Sequence, residues 1–268
     1  MINQAPDIPH IFEDDYYQRL YAIEERHWWA RGMRAVMHEL LAPRLVQGEP
    51  LHILDVGCGT GYLLGWAQRY SPAIEPVGVD LAAHALRFCR ARNARDLALA
   101  SAVQLPFAAQ SFDLIICIDT LQHLAPASAD AIALIEFARL LRPGGLLYLR
   151  TNSALGHRSL QGVDPDHYRR YTLDTVGAML SAAGLTTERA TYINALPGLW
   201  GFLREYLSPA RQSAPIGPGL TIAPSSPSRG LVDALLYQEL LFEAKIIGSG
   251  ASLPFGHSSA YLARRPER

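Results

Sequence analysis

The chain has 268 residues and 49% hydrophobic content, which suits one large core and argues against a disordered chain. The formal net charge is -1, Lys245 is the only lysine and no basic block occurs, so the electrostatic footprint of a nucleic-acid binder is missing. No run approaches the roughly 20 apolar residues of a membrane span.

Cys58, Cys89 and Cys117 form no Cys-x-x-Cys pair. With no signal-peptide pattern at residues 1–10, they point to a reducing, cytoplasmic setting. Residues 11–45 read as helical, with Tyr16, Leu20, Ile23 and His27 near one face. The stretch His27-Trp28-Trp29-Ala30-Arg31-Gly32-Met33-Arg34 follows. Adjacent tryptophans are costly to expose, so this segment either caps the sheet edge or closes over a ligand pocket. Gly48-Glu49-Pro50 ends it.

Leu51 to Val56 reads as a buried parallel strand carrying Asp55. Gly57, Gly59 and Gly61 alternate after it, with Cys58 between the first two. Glycines at this spacing let the backbone turn tightly and approach a ligand closely. A helix from Tyr62 to Tyr70 begins at the loop, so its free N–H groups favour an anionic ligand group. A second strand, Pro76 to Asp80, ends in an acid about 20 residues past the loop, a spacing suited to ribose hydroxyls. The helix from Ala82 to Asn93 turns Ala85, Leu86 and Cys89 inward, and a third strand covers Leu97 to Val103.

Asp55 to Gly61, with Asp80, resembles motif I of the class I S-adenosylmethionine-dependent methyltransferases, whose loop reads Asp-x-Gly-x-Gly-x-Gly. Gln104-Leu105-Pro106-Phe107, Ser111-Phe112-Asp113 and Leu140-Leu141-Arg142-Pro143-Gly144-Gly145 are similar to further family segments. The His-Trp-Trp segment resembles that of bacterial small-molecule and glycan members. The resemblance implies a Rossmann-like, doubly wound, seven-stranded α/β sheet, mostly parallel with an antiparallel last strand. It divides the chain into a helical cap or lid, 1–46, and a cofactor-binding domain, 47–268.

The implied cofactor is S-adenosylmethionine, leaving as S-adenosylhomocysteine. By resemblance, Asp55 braces the loop, and Gly57, Cys58, Gly59 and Gly61 admit the methionine end. Asp80, with Leu81 beside it, holds the ribose. Ser101, Ala102 and Val103 meet adenine, Ser101 standing where the family has an aspartate. Arg31 or Arg34 pairs with the methionine carboxylate, Trp29 faces the sulfonium, and Asp119 closes the cofactor set.

A fourth strand, Phe112 to Ile118, leads into Asp119-Thr120-Leu121-Gln122-His123. His123 is either a structural histidine or a general base. A helix from Pro126 to Leu141 is expected to bury Ile132, Ile135, Ala138 and Leu141, before strand Leu146 to Arg150. His167, a second candidate base, borders the acceptor with Tyr168 and Arg169 by resemblance. Asp164-Pro165-Asp166-His167 fits no standard metal-ligand spacing, so no metal is expected. Thr172 is an N-cap for a helix ended by Gly184. A strand from Leu185 to Ile193 and one from His257 to Ala263 flank an insertion, 196–248, whose Leu231 to Ile247 part reads as a packed helix. The insertion covers the acceptor site or forms a homodimer contact.

The implied activity is methyl transfer to oxygen or nitrogen of a small-molecule acceptor in secondary-metabolite or glycan biosynthesis. A non-methylating reaction, such as cyclisation or rearrangement with the cofactor bound, is the alternative. A non-catalytic interaction module is disfavoured by the intact loop and ribose acid.

Overall fold

The computed structural model describes residues 14–45, 50–68, 73–125, 128–154, 169–199 and 227–267. Two helices open the chain, α1 (Asp14–Ile23) and α2 (Trp28–Leu45). The alternation then runs β1 (Leu51–Val56), α3 (Tyr62–Gln68), β2 (Ile74–Asp80), α4 (Ala83–Ala91), β3 (Leu97–Leu99) and β4 (Phe112–Ile118). A 3-10 turn (Leu121–His123), α5 (Ala129–Leu140), β5 (Leu141–Asn152), α6 (Leu173–Ala182), β6 (Thr186–Ile193), α7 (Pro227–Gly248) and β7 (Ser258–Arg264) complete it.

The strands form one seven-stranded sheet in the order β3-β2-β1-β4-β5-β7-β6. All pairs are parallel except those of β7, which runs antiparallel to both β5 and β6. This is the Rossmann-like α/β sheet the motifs imply. The chain leaves β1 toward β2 on one side and returns through β4 on the other, so the carboxyl ends of β1 and β4 diverge. Open α/β sheets bind ligands at such a point.

Period-two alternation sends successive residues to opposite faces. Leu114, Ile116, Leu146, Tyr148, Ala260 and Leu262 join one core with α2 and α7. Ile115, Cys117, Leu147, Leu149, Tyr261 and Ala263 join the other with α5 and α6. The tryptophan-bearing helix α2 therefore lies on a sheet face, with Met33, Val36, Met37 and Leu41 fully buried, rather than at the sheet edge. The long helix of the insertion packs alongside it. Contact is so close that a Cβ on Gly32 would lie 2.4 Å from Cδ1 of Leu240.

Several boundaries differ from expectation. The first helical segment breaks into α1 and α2 at Glu24–His27. β3 is only three residues long, because Ser101 and Gln104 close a tight turn. The inward face of α5 differs in part from expectation, Leu141 being buried and Ala138 partly buried against the core as expected. Ile132 and Ile135 are exposed, and Ala133, Leu134, Phe137 and Leu140 are buried. These buried positions follow an i, i+1, i+4, i+7 stripe that an almost wholly apolar helix does not reveal. β5 starts at Leu141, directly after α5, because Leu141 pairs with Phe112 ahead of the Pro143-Gly144-Gly145 bulge. Thr172 caps α6 as expected, its hydroxyl accepting from the Thr175 amide at 3.1 Å. Gly184, at φ +80°, ends it, with the Leu185 amide bonded back to the Leu180 carbonyl. Pro126 and most of 196–226 lie outside the described residues.

Candidate functional site

One cavity of about 360 Å³ opens at the carboxyl ends of β1, β2, β4 and β5. Its floor is the loop after β1. Gly57, Gly59 and Gly61 all have positive φ, at 74°, 54° and 79°. Gly57 and Cys58 both donate to the Val79 carbonyl, at 2.8 and 2.9 Å, which ties the loop to the end of β2. A Cβ on Gly57 would lie 1.9 Å from Thr120 Oγ1, so this position excludes any side chain. On Gly59 it would meet only Leu20, at 3.9 Å, which leaves that stretch of backbone bare toward the cavity.

Two acids flank the loop. Asp80 is 5% exposed, and its Oδ2 accepts the Gly59 amide at 2.9 Å. Burial raises its carboxyl above the ordinary value although backbone amides pull the other way. Asp55 is 2% exposed, and its Oδ2 has no hydrogen-bond partner. Burial, followed by the nearby Asp80 and Glu24 charges, pushes its carboxyl up to about 8.

The roof comes from the N-terminal helices. Tyr16, Tyr17 and Leu20 of α1, Glu24 in the turn after it, and Trp29, Ala30 and Arg34 of α2 line the cavity. Arg34 donates to the Glu24 and Glu25 carbonyls at 2.9 and 3.1 Å and lies 4.2 Å from the Tyr62 ring centre. Glu24 accepts from Thr60 and, at 2.9 Å, from Arg92.

The far end is built on β4 and β5. Asp119 has φ +50°, a left-handed conformation that aspartate tolerates better than most residues. Its carboxylate takes a forked ion pair from Arg150, at 3.2 and 2.5 Å, and Arg150 lies 4.9 Å from the Trp29 ring centre. Gln122, His123, Asn152 and His257 complete that wall. Asn152 is 5% exposed, and its Nδ2 has no hydrogen-bond partner.

Of the residues singled out in the sequence, Trp29, Asp55, Gly57, Cys58, Gly59, Asp80, Leu81, Ser101, Ala102, Val103, Asp119 and His123 all line this one cavity. Gly61 stands behind the loop, packed on Cys89. Arg31 lies outside the lining. It is exposed, 4.0 Å from the Tyr237 ring centre of α7, and Arg34 occupies the cavity instead. Arg169 is not in the lining either, and its side chain pairs with Asp130 at 2.8 Å. His167 and Tyr168 fall outside the described residues. Among the described residues no cluster of His, Cys, Asp and Glu could hold a metal ion, and no helix is long and apolar enough to cross a membrane.

Sequence reading missed Tyr17, Glu24, Thr60, Tyr62, Arg150, Asn152 and His257. Arg150 and Asn152 were within reach, since they stand at the carboxyl end of a central strand, where ligands of this architecture bind. Tyr17 and Glu24 carried no such signal.

Residues 54–149 match a methyltransferase domain family. The chain is 30% identical over 158 residues to a ubiquinone biosynthesis O-methyltransferase of Xanthomonas oryzae, a match covering 52% of this chain and 62% of that protein. The chain thus spans about three fifths of the length of the curated relatives first matched. Among solved structures, phosphoethanolamine N-methyltransferase 2 of Haemonchus contortus, in complex with S-adenosylmethionine, superposes with a TM-score of 0.61 at 18% identity, covering 96% of this chain and 58% of that one. The cyclase SpnF superposes with a TM-score of 0.55 at 20% identity, covering 87% and 81%. These two likenesses are of fold.

The residues of the cavity fit S-adenosylmethionine, the cofactor these matches support. The loop is bare at Gly59, and Asp80 offers a buried carboxylate beside it. The Asp55 oxygen has no hydrogen-bond partner, and four acid side chains line the cavity with two guanidinium groups.

Proposed function

We propose that this chain is a class I S-adenosylmethionine-dependent methyltransferase acting on oxygen or nitrogen of a small-molecule acceptor, such as a secondary-metabolite or glycan precursor. The observation that carries the reading is the single cavity in which the glycine loop, Asp80 and the unpartnered Asp55 oxygen share space with Asp119, His123 and Asn152. The cavity volume lies at the low end of the ~300–1,000 Å³ range of small-molecule sites.

When bound, S-adenosylmethionine supplies an electrophilic methyl group on a sulfonium. The loop admits its methionine end, Asp80 holds its ribose, Ser101 to Val103 take the adenine edge, and Arg34, not Arg31, is the guanidinium available to the carboxylate. The β4–β5 wall then holds the acceptor. Orientation and water exclusion are the principal work in such a transfer, and the roof of α1 and α2 aromatic residues supplies the exclusion. His123 removes the proton when the acceptor is a hydroxyl; an amine acceptor needs no base beyond its own neutral form. Asn152, with a buried donor to offer, orients an oxygen of the acceptor.

The test is incubation of a cell extract with methyl-labelled S-adenosylmethionine and purified protein. A labelled product, heavier by one methyl group, is expected. His123→Ala lowers the rate about 10²- to 10⁴-fold for a hydroxyl acceptor, with S-adenosylhomocysteine affinity within a few-fold of wild type. Conversion to a product of unchanged mass favours the cyclisation reading, for which the fold likeness to SpnF is the only support.

A further inference from the structure

Glu24 stands in the turn between α1 and α2, and its carboxylate meets the glycine loop. Backbone bonds fix the turn. The Glu24 amide donates to the Leu20 carbonyl at 2.9 Å, and the Arg26 and His27 amides donate to the Ile23 carbonyl at 3.0 and 2.9 Å. One carboxylate oxygen, Oε1, accepts from the Thr60 hydroxyl of the loop and from Arg92, the latter at 2.9 Å. Among the described residues no group donates to Oε2, although the side chain lines the cavity and is only 13% exposed. Burial raises the carboxyl above its ordinary value, while Thr60 and Arg92 pull the other way. A half-satisfied carboxylate in a poorly solvated place favours a further donor, and a cationic donor most of all.

Arg34 lines the same end of the cavity. It donates to the Glu24 and Glu25 carbonyls at 2.9 and 3.1 Å, and its guanidinium lies 4.2 Å from the Tyr62 ring centre. A guanidinium has five N–H donors, so two carbonyls leave others for a ligand. Glu24 is thus held on Thr60 and Arg34 on Tyr62, two positions apart at the end of the glycine loop. Together they present one carboxylate and one guanidinium. The head of an α-amino acid carries the complementary pair, an ammonium and a carboxylate on one carbon.

We propose, on the cofactor reading above, that Glu24 receives the ammonium of the cofactor's methionine part, so that Glu24 and Arg34 clamp its amino-acid head against the loop. Arg92 supports the clamp from outside the lining. By holding Oε1 it leaves Oε2 as the acceptor for the ligand. The same carboxylate rejects the other cargo of glycine-rich loops. Such loops also cradle phosphates, and a phosphate against Thr60 would meet the Glu24 charge at close range, where like charges repel more strongly than in water.

Glu24→Gln keeps an oxygen for Thr60 and Arg92 but loses the negative charge. Calorimetry on the full chain compares S-adenosylhomocysteine with its deaminated analogue, in which hydrogen replaces the ammonium while the carboxylate and adenosyl part are kept. Glu24→Gln is expected to bind S-adenosylhomocysteine roughly tenfold more weakly than wild type, the scale of a hydrogen bond between charged groups. It binds the analogue as tightly as wild type or more tightly, since an anionic ligand is relieved of a repulsion. Wild type alone gives a second reading: it binds the analogue at least about tenfold more weakly than S-adenosylhomocysteine, and equal affinity for the two overturns the proposal. Unchanged S-adenosylhomocysteine affinity in Glu24→Gln overturns it as well. A loss of the same size for both ligands means that Glu24 only braces the loop, and has the same consequence. Each of these results leaves the cofactor reading standing, whereas absence of S-adenosylhomocysteine binding in wild type overturns both.

Discussion

Asp55 is the residue whose surroundings depart furthest from what its side chain needs. Its carboxyl is buried, one oxygen is unpartnered, and its neighbours Asp80 and Glu24 are acids. The native protein therefore holds its proton up to a pH of about 8, whereas the unfolded chain gives it up near 4. Between those values the native state binds more protons than the unfolded one, so stability falls as pH rises. Thermal melts of the cofactor-free protein should show the midpoint dropping from pH 5 to pH 8, and Asp55→Asn should flatten that slope. A wild-type midpoint that stays level or climbs over this interval would rule out a protonated Asp55. The presence of Asp55 in the site was legible from Asp-x-Gly-x-Gly-x-Gly. Its unmet hydrogen bond was not, because that depends on Asp80 and on Glu24, which is far away in the chain. The same limit separates Arg31 from Arg34. Both stand on one helix, and only the packing of Tyr237, some two hundred positions later, decides which one is drawn away from the cavity.

Helices α2 and α7 show how an element's role depends on a partner remote in sequence. Gly32 sits where α7 crosses α2, with Leu240 filling the space a Cβ would need. In an isolated helix Gly32→Ala gains about 1 kcal/mol of propensity. Here the added methyl overpacks a buried contact, which costs roughly 1–3 kcal/mol, so a net loss is expected. Leu240→Ala alone opens a cavity and costs roughly 2–5 kcal/mol. Combined, each change relieves the other, and urea unfolding of the four proteins should give a double-mutant coupling above ~0.5 kcal/mol in the stabilising direction. Additivity within that margin would mean the helices do not approach as closely as Gly32 and Leu240 indicate. Within single elements the sequence was a good guide. The strands of the central sheet fell near their motifs, Thr172 capped α6, and Ala85, Leu86 and Cys89 of α4 faced inward. It failed at α5, where Ile132 and Ile135 are exposed although apolar, because a helix apolar on most sides carries no periodic contrast to read. It also gave the tryptophan segment two readings. Trp29 belongs to the core on the sheet face, not to a cap on the sheet edge, and it also lines the cavity.

Across the whole molecule the chain is nearly neutral, with a formal charge of -1, yet its cavity is not. Glu24, Asp55, Asp80 and Asp119 face it against Arg34 and Arg150. Asp119 is matched by Arg150, and Glu24 is matched from outside the lining by Arg92. Arg34 is turned to two backbone carbonyls and shares its charge with the same cavity. The acids without an ion-pair partner in this set are Asp80 and Asp55, the latter uncharged below a pH of about 8, in a poorly solvated site where a nearby charge counts for more than it does in water. S-adenosylmethionine carries an ammonium, a sulfonium and a carboxylate, for a net charge of +1, and its product lacks the sulfonium and is neutral overall. Ionisation of Asp55 adds a negative charge to the cavity, which favours the methyl donor over the spent product. As pH rises from 6 to 9, the ratio of S-adenosylmethionine to S-adenosylhomocysteine affinity should increase, because Asp55 passes from neutral to charged within that interval. Donor binding near pH 7 should release a fraction of a proton as the ligand's positive charge pulls the Asp55 pKa down, measurable by calorimetry in buffers of different ionisation enthalpy. In Asp55→Asn both effects should vanish while the protein remains folded. If the affinity ratio is level with pH in wild type, or rises equally in Asp55→Asn, the discrimination arises from the sulfonium's immediate contacts, for which Tyr16, Tyr17, Trp29 and Tyr62 of the lining are the aromatic candidates, rather than from the carboxylate beneath the glycine loop.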